Sequence, residues 1–398
     1  MNLPPADHTS YDVVIVGGAI MGSSAAWWLS RDPSFDGTVL VVERNPTYEG
    51  SSTATTNSCM RQQFSNEINI RISQFAAEYV RTFPTWFDDD VPDIATHHFG
   101  YMYLADTESF AAALKTSQAR QATWGAGTEI MTPAEIAANY PFYNLDGIIC
   151  GSHNVVDEGY FDSGTIFDTW RSQARRNGVE FVHDEVVGLG VDTDRVATVI
   201  LASGTEIACG AVVNAAGPRA SSVAAMAGIE LPVEPRKRYS FVFAAAEALD
   251  RDLPLTIDPT GIHVRSDGGY YQAGCAPDDD RAVAADDLSF DHEIWEDKVW
   301  PVLAHRIPAF ERVKIVNRWA GHYAFNVLDQ NVIVGPHPEI TNFILMNGFS
   351  GHGLQQAPAI GRGVSELIAS GGYRTLDLSP LGFERVLTQT PFIERAVI

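Results

Sequence analysis

Apolar residues along the chain fall into two periodicities, and the changes between them mark the elements. "YDVVIVGGAIMGSSAAWWLS" opens with an unbroken apolar run at 13–16, passes through glycines and continues as a helix from about Met21. A short continuous apolar run before a glycine turn reads as a strand buried on both faces. "TVLVVER" repeats the pattern and ends in Glu43. Over 66–88 the period changes: Ile68, Ile72, Phe75, Ala76 and Tyr79 share one helical face, which predicts a single long helix there. Past it the sequence is strand-rich and irregular. The first pattern returns in "DSGTIFDTWRSQARRNGVEFVHDEVVGL", a helix then a strand. It returns again in "TEIACGAVVNAAGPRASSVAAMAG", a strand ending in Asn214, Ala215, Ala216 and Gly217, then a helix. The last return is at 343–346, where "FILM" leads through "GFSGHGLQQAPAIG" into the helix "RGVSELIASG".

This layout predicts an α/β chain with one discontinuous Rossmann-like domain at 11–88, 155–228 and 328–378. A second domain on a large antiparallel or mixed sheet takes 89–154 and 229–327, and 379–398 forms a C-terminal tail. The first turn has the pattern Gly17-x-Ala19-x-x-Gly22, with Gly18, Ile20 and Met21 between. Gly17 makes the tight turn and Gly22 lets helix and strand approach, as dinucleotide-binding turns require. Alanine at 19 leaves less room for a pyrophosphate than glycine. Glu43 falls about twenty residues further on, where a carboxylate holds a ribose hydroxyl. A nicotinamide enzyme would continue in regular alternation. Here "NPTYEGSSTATTNSCMRQQFS" follows, rich in small hydroxyl residues and suited to packing on a large flat cofactor. Three separated segments, at the N-terminus, at 214–217 and at 348–361, then converge on one extended ligand. That predicts FAD.

Composition narrows the class. The chain has 398 residues, 45% hydrophobic and 19% charged, with a net charge of -23. Such acidity argues against a nucleic-acid partner, which needs a basic face. It also means that an anionic substrate needs a local cationic pocket. Cys59, Cys150, Cys209 and Cys275 are scattered and form no C-x-x-C pair, so neither a metal site nor a redox dithiol is expected. "MNLPPADHTS" has no basic start or apolar core, and no apolar run is long enough for a membrane span. The expected setting is cytoplasmic.

The motifs "VVIVGGAIMG", "VVER", "VVNAAGP" and above all "GFSGHGLQQAPAIG" resemble the D-amino-acid oxidase-like flavoenzymes, within them the sarcosine oxidase and glycine oxidase branch. The resemblance runs from Tyr11 to about Leu378. "QQFS" and "GFSGHGLQQAPA" are also similar to the group called FAD-dependent oxidoreductase domain proteins. The resemblance implies an FAD domain with a large sheet laid over the flavin. It assigns cofactor contacts to Gly17 through Gly22, Glu43, Arg44, Ser51, Ser52, Val186, Val187, Ala215, Ala216, Gly217 and Gly321. It adds Gly348, Phe349, Ser350, Gly351, His352, Gly353 and Leu354. There the glycines would let backbone lie against the flavin, and the helix beginning near Leu354 would aim its N-terminus at the ring's pyrimidine end.

For the substrate, the resemblance implies a small secondary amino acid: an N-substituted glycine, sarcosine-like, or an imino diacid such as iminodiacetate. Its C–N bond would be oxidised by hydride transfer and the imine hydrolysed. Arg61 matches the carboxylate-binding arginine, and an arginine grips a carboxylate with two parallel hydrogen bonds. A second, lysine partner of the branch is replaced by Gln355, so Arg265 or one of Arg236, Lys237 and Arg238 is expected to compensate. At least two of those three would lie on a solvated strand edge. His263, Tyr271, His322 and His352 are further site candidates. The cysteine that tethers flavin in the branch is replaced within Gly321, His322 and Tyr323, which predicts non-covalent FAD. The lysine that assists oxygen is replaced by Gln272, which leaves O2 or an electron carrier as the acceptor. The alternatives are a non-catalytic flavoprotein subunit or assembly factor, and a 2-hydroxy acid oxidoreductase on the same fold.

Overall fold

The computed structural model describes residues 6–395, so the first residues of the N-terminal stretch and the end of the expected C-terminal tail lie outside the described residues. Two eight-stranded sheets carry the structure. In the first, Ser10–Val16 lies between Val39–Glu43 and Glu206–Asn214, parallel to both. Phe343–Asn347 pairs parallel to the far side of Glu206–Asn214, and Glu180–His183 extends the other edge. A central parallel strand is covered on both faces, which is why 13–16 is uniformly apolar. Alternation sends Val13 and Ile15 into one core cluster, with Trp27 and Ile360, and Val14 and Val16 into the other.

The helix Ile20–Ser30 is buried almost all round, packed between Ser163–Arg176 and Gly353–Ser370. Small residues make the close crossing possible. A Cβ on Gly361 would stand 2.0 Å from Ser24 Oγ, and Ser24 Oγ donates to the Ala357 carbonyl at 2.7 Å. The single helix predicted over 66–88 is shorter: it spans Glu67–Arg81 and is followed by a 3-10 turn, Phe83–Trp86. Pro84 lacks an N–H and cannot continue the α-helical ladder, which accounts for the break.

The second sheet runs Val313–Asn326, Val233–Ala245, Tyr270–Cys275, His263–Asp267, Leu255–Ile257, Tyr101–Ala105, Cys150–Asn154, Glu129–Met131. All neighbours are antiparallel except Leu255–Ile257 with Tyr101–Ala105. Its outer face packs Phe241, Phe243, Trp295 and Phe310. The expected solvated edge at 236–238 is not there. Val233–Ala245 is paired along its whole length with Val313–Asn326, and its other side is covered by the segment that carries Asp280, Val283 and Asp287. Lys237 is buried and ion-paired with Asp287, and Arg238 grips Asp280 with both terminal nitrogens.

Apart from Ser10, every strand of the first sheet falls within 11–88, 155–228 and 328–378, and every strand of the second within 89–154 and 229–327. On that ground we propose these as the two domains. A small sheet of Cys59–Met60, Gly159–Phe161 and Thr96–His97 joins them. Among the described residues no helix is long and apolar enough to cross a membrane, and no group of three His, Cys, Asp or Glu could hold a metal.

Candidate active site

A cavity of about 660 Å³ lies between the sheets. Its nucleotide-like part is made of backbone. Gly17 has φ +97, and a Cβ there would meet the Ala215 carbonyl oxygen at 2.6 Å. Gly22 does not line the cavity; a Cβ on it would fall 1.8 Å from the Gly17 carbonyl oxygen. Gly18 also stands back, its N–H donating to Glu43 Oε2 at 2.8 Å. Glu43 Oε1 accepts from the Asn45 N–H at 2.8 Å. Burial pushes the Glu43 carboxyl up from its usual range. Arg44, Ser51, Ser52, Val186, Ala215, Ala216 and Gly217 line the same cavity. Val187 does not: alternation along Val186–Asp192 turns it outward, 51% exposed.

The turn at 348–353 needs glycine for contacts within the protein itself. Gly348 and Gly351 have φ of +79 and +94. A Cβ on Gly351 would stand 2.5 Å from the Tyr323 ring, and one on Gly348 would stand 3.0 Å from Asn326 and Val233. These glycines make room for the protein's own second sheet, and Gly348 does not line the cavity. Ser350 Oγ completes the staple by accepting from the Asn326 N–H at 3.0 Å. The helix Gly353–Ser370 then begins with no side-chain cap from His352, and Gly353, Leu354 and Gln355 face the cavity. Gly321 is likewise a packing requirement: a Cβ would lie 2.4 Å from Thr55 Oγ1. The hydroxyl-rich segment is held there, with Ser52 Oγ donating to the His322 carbonyl at 2.6 Å.

Side chains build the remaining part. Arg61 is 4% exposed and lines the cavity. Its Nη1 donates to the Gln63 carbonyl at 2.8 Å, and its guanidinium lies 4.2 Å from the Phe64 ring centroid and 5.9 Å from that of Tyr103. Gln355 Oε1 accepts from the Arg61 backbone N–H at 2.7 Å, so this amide positions the arginine's backbone. Glu158, fully buried, accepts from the Gln62 N–H at 2.7 Å and from Gln63 Nε2 at 2.9 Å. Burial outweighs these bonds and the nearby Arg61 charge, and pushes the Glu158 carboxyl up to about 7. His352 meets Phe64 edge-on at 5.1 Å. His263 lines the cavity; burial first, then Arg238 and Arg265, push its imidazole down to about 4.

Two of the proposed catalytic residues are displaced. Arg265 and Gln272 do not line the cavity. Arg265 is buried and bound to the Ser266 carbonyl, Asp267, the Asn57 carbonyl and Gln272. It therefore cannot also serve as the compensating carboxylate anchor. Tyr271 packs into the outer core against Phe243 and Phe310.

A family of FAD-dependent oxidoreductases, DAO, matches residues 12–367. The chain belongs to this family. It is 38% identical to FAD-dependent oxidoreductase domain-containing protein 1 of Xenopus laevis, over 100% of this chain and 86% of that protein. Among solved structures it is similar to L-proline dehydrogenase from P. horikoshii, with TM-score 0.82 and 25% identity over 95% of this chain and 98% of that one. It shares the fold of glycine oxidase from Geobacillus kaustophilus, with TM-score 0.79 and 20% identity over 94% and 98% of the two chains.

FAD is the cofactor of this flavoprotein family, and the residues present suit it. Two helices begin at the cavity with no cap from the side chain of the N-cap residue itself, at Ala19 and at His352. Helix N-termini favour anionic groups, here a pyrophosphate and the pyrimidine end of the ring. Tyr48 Oη and Arg238 Nε are buried on lining residues and have no protein partner. Tyr48, Thr53, Asn57, Tyr101 and Arg219 line the flavoprotein's cavity without having been read from the sequence. Thr53, which accepts from the Ile20 N–H at 3.2 Å, and Asn57 lie in the segment whose hydroxyl richness signalled it. Nothing local to Tyr101 or Arg219 marks them.

Proposed function

We propose that this flavoprotein oxidises the C–N bond of a small secondary amino acid. The carrying observation is the buried guanidinium of Arg61 in the cavity of an FAD-dependent oxidoreductase whose net charge is -23. A cation placed there selects a carboxylate against the field of the whole molecule. Support comes from L-proline dehydrogenase, similar over nearly the full chain, whose named substrate is a secondary amino acid.

Bound FAD supplies the two-electron acceptor, and O2 or a carrier takes the electrons onward. The chain's own contribution is positioning. Arg61 binds the substrate carboxylate; Gln355 and Glu158 hold the segment that carries Arg61. Phe64 and Tyr103 shield the guanidinium from water, which strengthens the ion pair. His263 is kept neutral and so adds no charge beside the amine. A substrate amine bound in its neutral form needs no strong base, and the product imine hydrolyses in water.

The test is steady-state turnover on N-substituted glycines, proline and 2-hydroxy acids. Arg61→Ala should cost roughly 2–5 kcal/mol in kcat/KM, mostly as a higher KM, with FAD content unchanged. Arg61→Lys should restore only part, since an ammonium lacks the two-pronged grip. Full efficiency in Arg61→Ala would move the anchor elsewhere.

A further inference from the structure

Three polar side chains on the inner face of the second sheet and Asn57 of the hydroxyl-rich segment against it form a chain whose donors and acceptors are all forced. Arg265 Nη2 lies 2.5 Å from Gln272 Oε1. Gln272 Nε2 lies 2.5 Å from Asn57 Oδ1. Asn57 Nδ2 lies 2.9 Å from His263 Nε2. A guanidinium has donors only and keeps its proton, so the Gln272 atom facing it must be the oxygen. Gln272 then presents its NH2 to Asn57, which must answer with oxygen. Asn57 in turn presents NH2 to His263, so Nε2 of His263 must accept. The one proton of the neutral ring is left on Nδ1.

That Nδ1 is buried and has no protein partner, on a residue that is 7% exposed and lines the cavity. A buried donor without an acceptor is costly unless something else supplies one. Protonating the ring would set an Nε2–H against the Asn57 NH2, beside the charges of Arg238 and Arg265; Asp267 already neutralises part of the latter. The ring sits on Gly274, where a Cβ would come 2.5 Å from Nε2 and 2.6 Å from Cε1.

We propose that His263 is a fixed Nδ1–H donor, its tautomer imposed from Arg265 through Gln272 and Asn57, and that it takes a carboxylate or carbonyl on the second substituent of the substrate nitrogen. The second half rests on the secondary-amino-acid function above. The sheet places Tyr103 and His263 on one face. Tyr103, whose ring faces the Arg61 guanidinium, pairs with Ile257, and Ile257 pairs with His263. His263 is thus two strands from Tyr103 on the same face of the sheet, their backbones about 10 Å apart. A molecule with a carboxylate at each end of a short secondary amine has one end for the Arg61 guanidinium and one for an Nδ1–H donor on the same face of the sheet. A methyl substituent leaves the Nδ1–H without an acceptor. The site therefore favours an imino diacid, or an N-substituted glycine with a terminal carbonyl, over sarcosine.

Two measurements on the FAD-loaded protein test this. With 15N-labelled histidine, the His263 resonances, assigned by their loss in His263→Phe, should show Nδ1 protonated and Nε2 bare at neutral pH. In Gln272→Glu, which has no NH2 to donate, Asn57 must turn round and the tautomer should invert. A bare Nδ1 or a doubly protonated ring in the native protein overturns the assignment. The second measurement is binding of two unreactive thioethers, thiodiacetate and methylthioacetate, read from the visible flavin spectrum. Thiodiacetate should bind at least about tenfold tighter, as one satisfied buried donor implies. That preference should vanish in His263→Phe and return in part in His263→Asn, whose amide can donate near the Nδ1 position. Equal binding of the two probes, or a preference that survives in His263→Phe, overturns the substituent assignment. Failure of both probes to bind, with the NMR result intact, overturns the substituent assignment and leaves the tautomer standing, while bleaching of the flavin by amines decides the amino-acid function separately.

Discussion

The two parts of the cavity are built from different material. Around Gly17, Ala215 and Gly351 the surface is backbone, and glycines are needed because other protein atoms already fill the space of a Cβ. Around Arg61 and His263 the surface is polar side chains, each oriented by another: Gln355 and Glu158 for the Arg61 segment, Asn57, Gln272 and Arg265 for His263. The first kind of surface can grip one cofactor shared across a family. The second kind can be rewritten by changing a few side chains while the backbone stays, which is where substrate choice resides.

The difference predicts how each part breaks. The largest effect belongs to the backbone part. Gly22→Ala places a Cβ 1.8 Å from the Gly17 carbonyl oxygen. Strand and helix must separate, at a cost of about 3 kcal/mol or more, with loss of FAD. Denaturant midpoint and flavin content of the purified variant check this; a yellow protein of native stability would refute the packing account.

The next effect is carried by side chains and depends on pH. Glu158 titrates at about 7 in the folded protein against 4.5 for the free carboxyl. Between those values the native state binds more protons than the unfolded state, so stability falls as pH rises, by about 3 kcal/mol in all. Below 4.5 the contribution is fully present, and above about 7 it is lost. Urea unfolding at pH 5 and pH 8 should show a smaller drop in Glu158→Gln than in the native protein. The new amide would also place an NH2 among donors, so the variant starts less stable. Parallel pH profiles would contradict the burial of this carboxyl.

The smallest effect returns to the nucleotide part. Glu43→Ala removes the acceptor of the Gly18 and Asn45 N–H groups and the proposed ribose contact. FAD affinity should fall by about 1–3 kcal/mol, read by fluorescence on reconstitution, while KM for substrate stays put. Unchanged FAD affinity would show that the carboxylate only closes the turn.

This contrast also governs what could be read in advance. The strands at 13–16, 39–43 and 343–346 stood out because burial on both faces leaves an unbroken apolar run. Glycine turns stand out because few residues tolerate their backbone, although the contacts requiring them at 348–351 come from two strands, at Tyr323 and Asn326 and at Val233, the last more than a hundred residues earlier. The over-long helix at 66–88 came from following apolar period past Pro84. Val187 follows Val186 in sequence but, as its neighbour on a strand, faces the opposite way. Arg265 reads in sequence as a compensating cation and Gln272 as the replacement of an oxygen-assisting lysine, but their partners decide their role. Asn57 lies about two hundred residues away in a hydroxyl-rich loop, and no local pattern joins it to them.

The central claim is that Arg61 and bound FAD together oxidise a secondary amino acid, and anaerobic reduction tests it most directly. Purified protein should be yellow, with FAD released by acid precipitation. Under argon, an N-substituted glycine or imino diacid should bleach the flavin absorbance in a single saturable phase, and a 2-hydroxy acid should not. In Arg61→Ala the same bleaching should require far higher substrate concentration. Persistent yellow colour across the whole amine panel, with full FAD occupancy and rapid bleaching by dithionite, would contradict the claim and favour a flavoprotein that acts without turnover of its own.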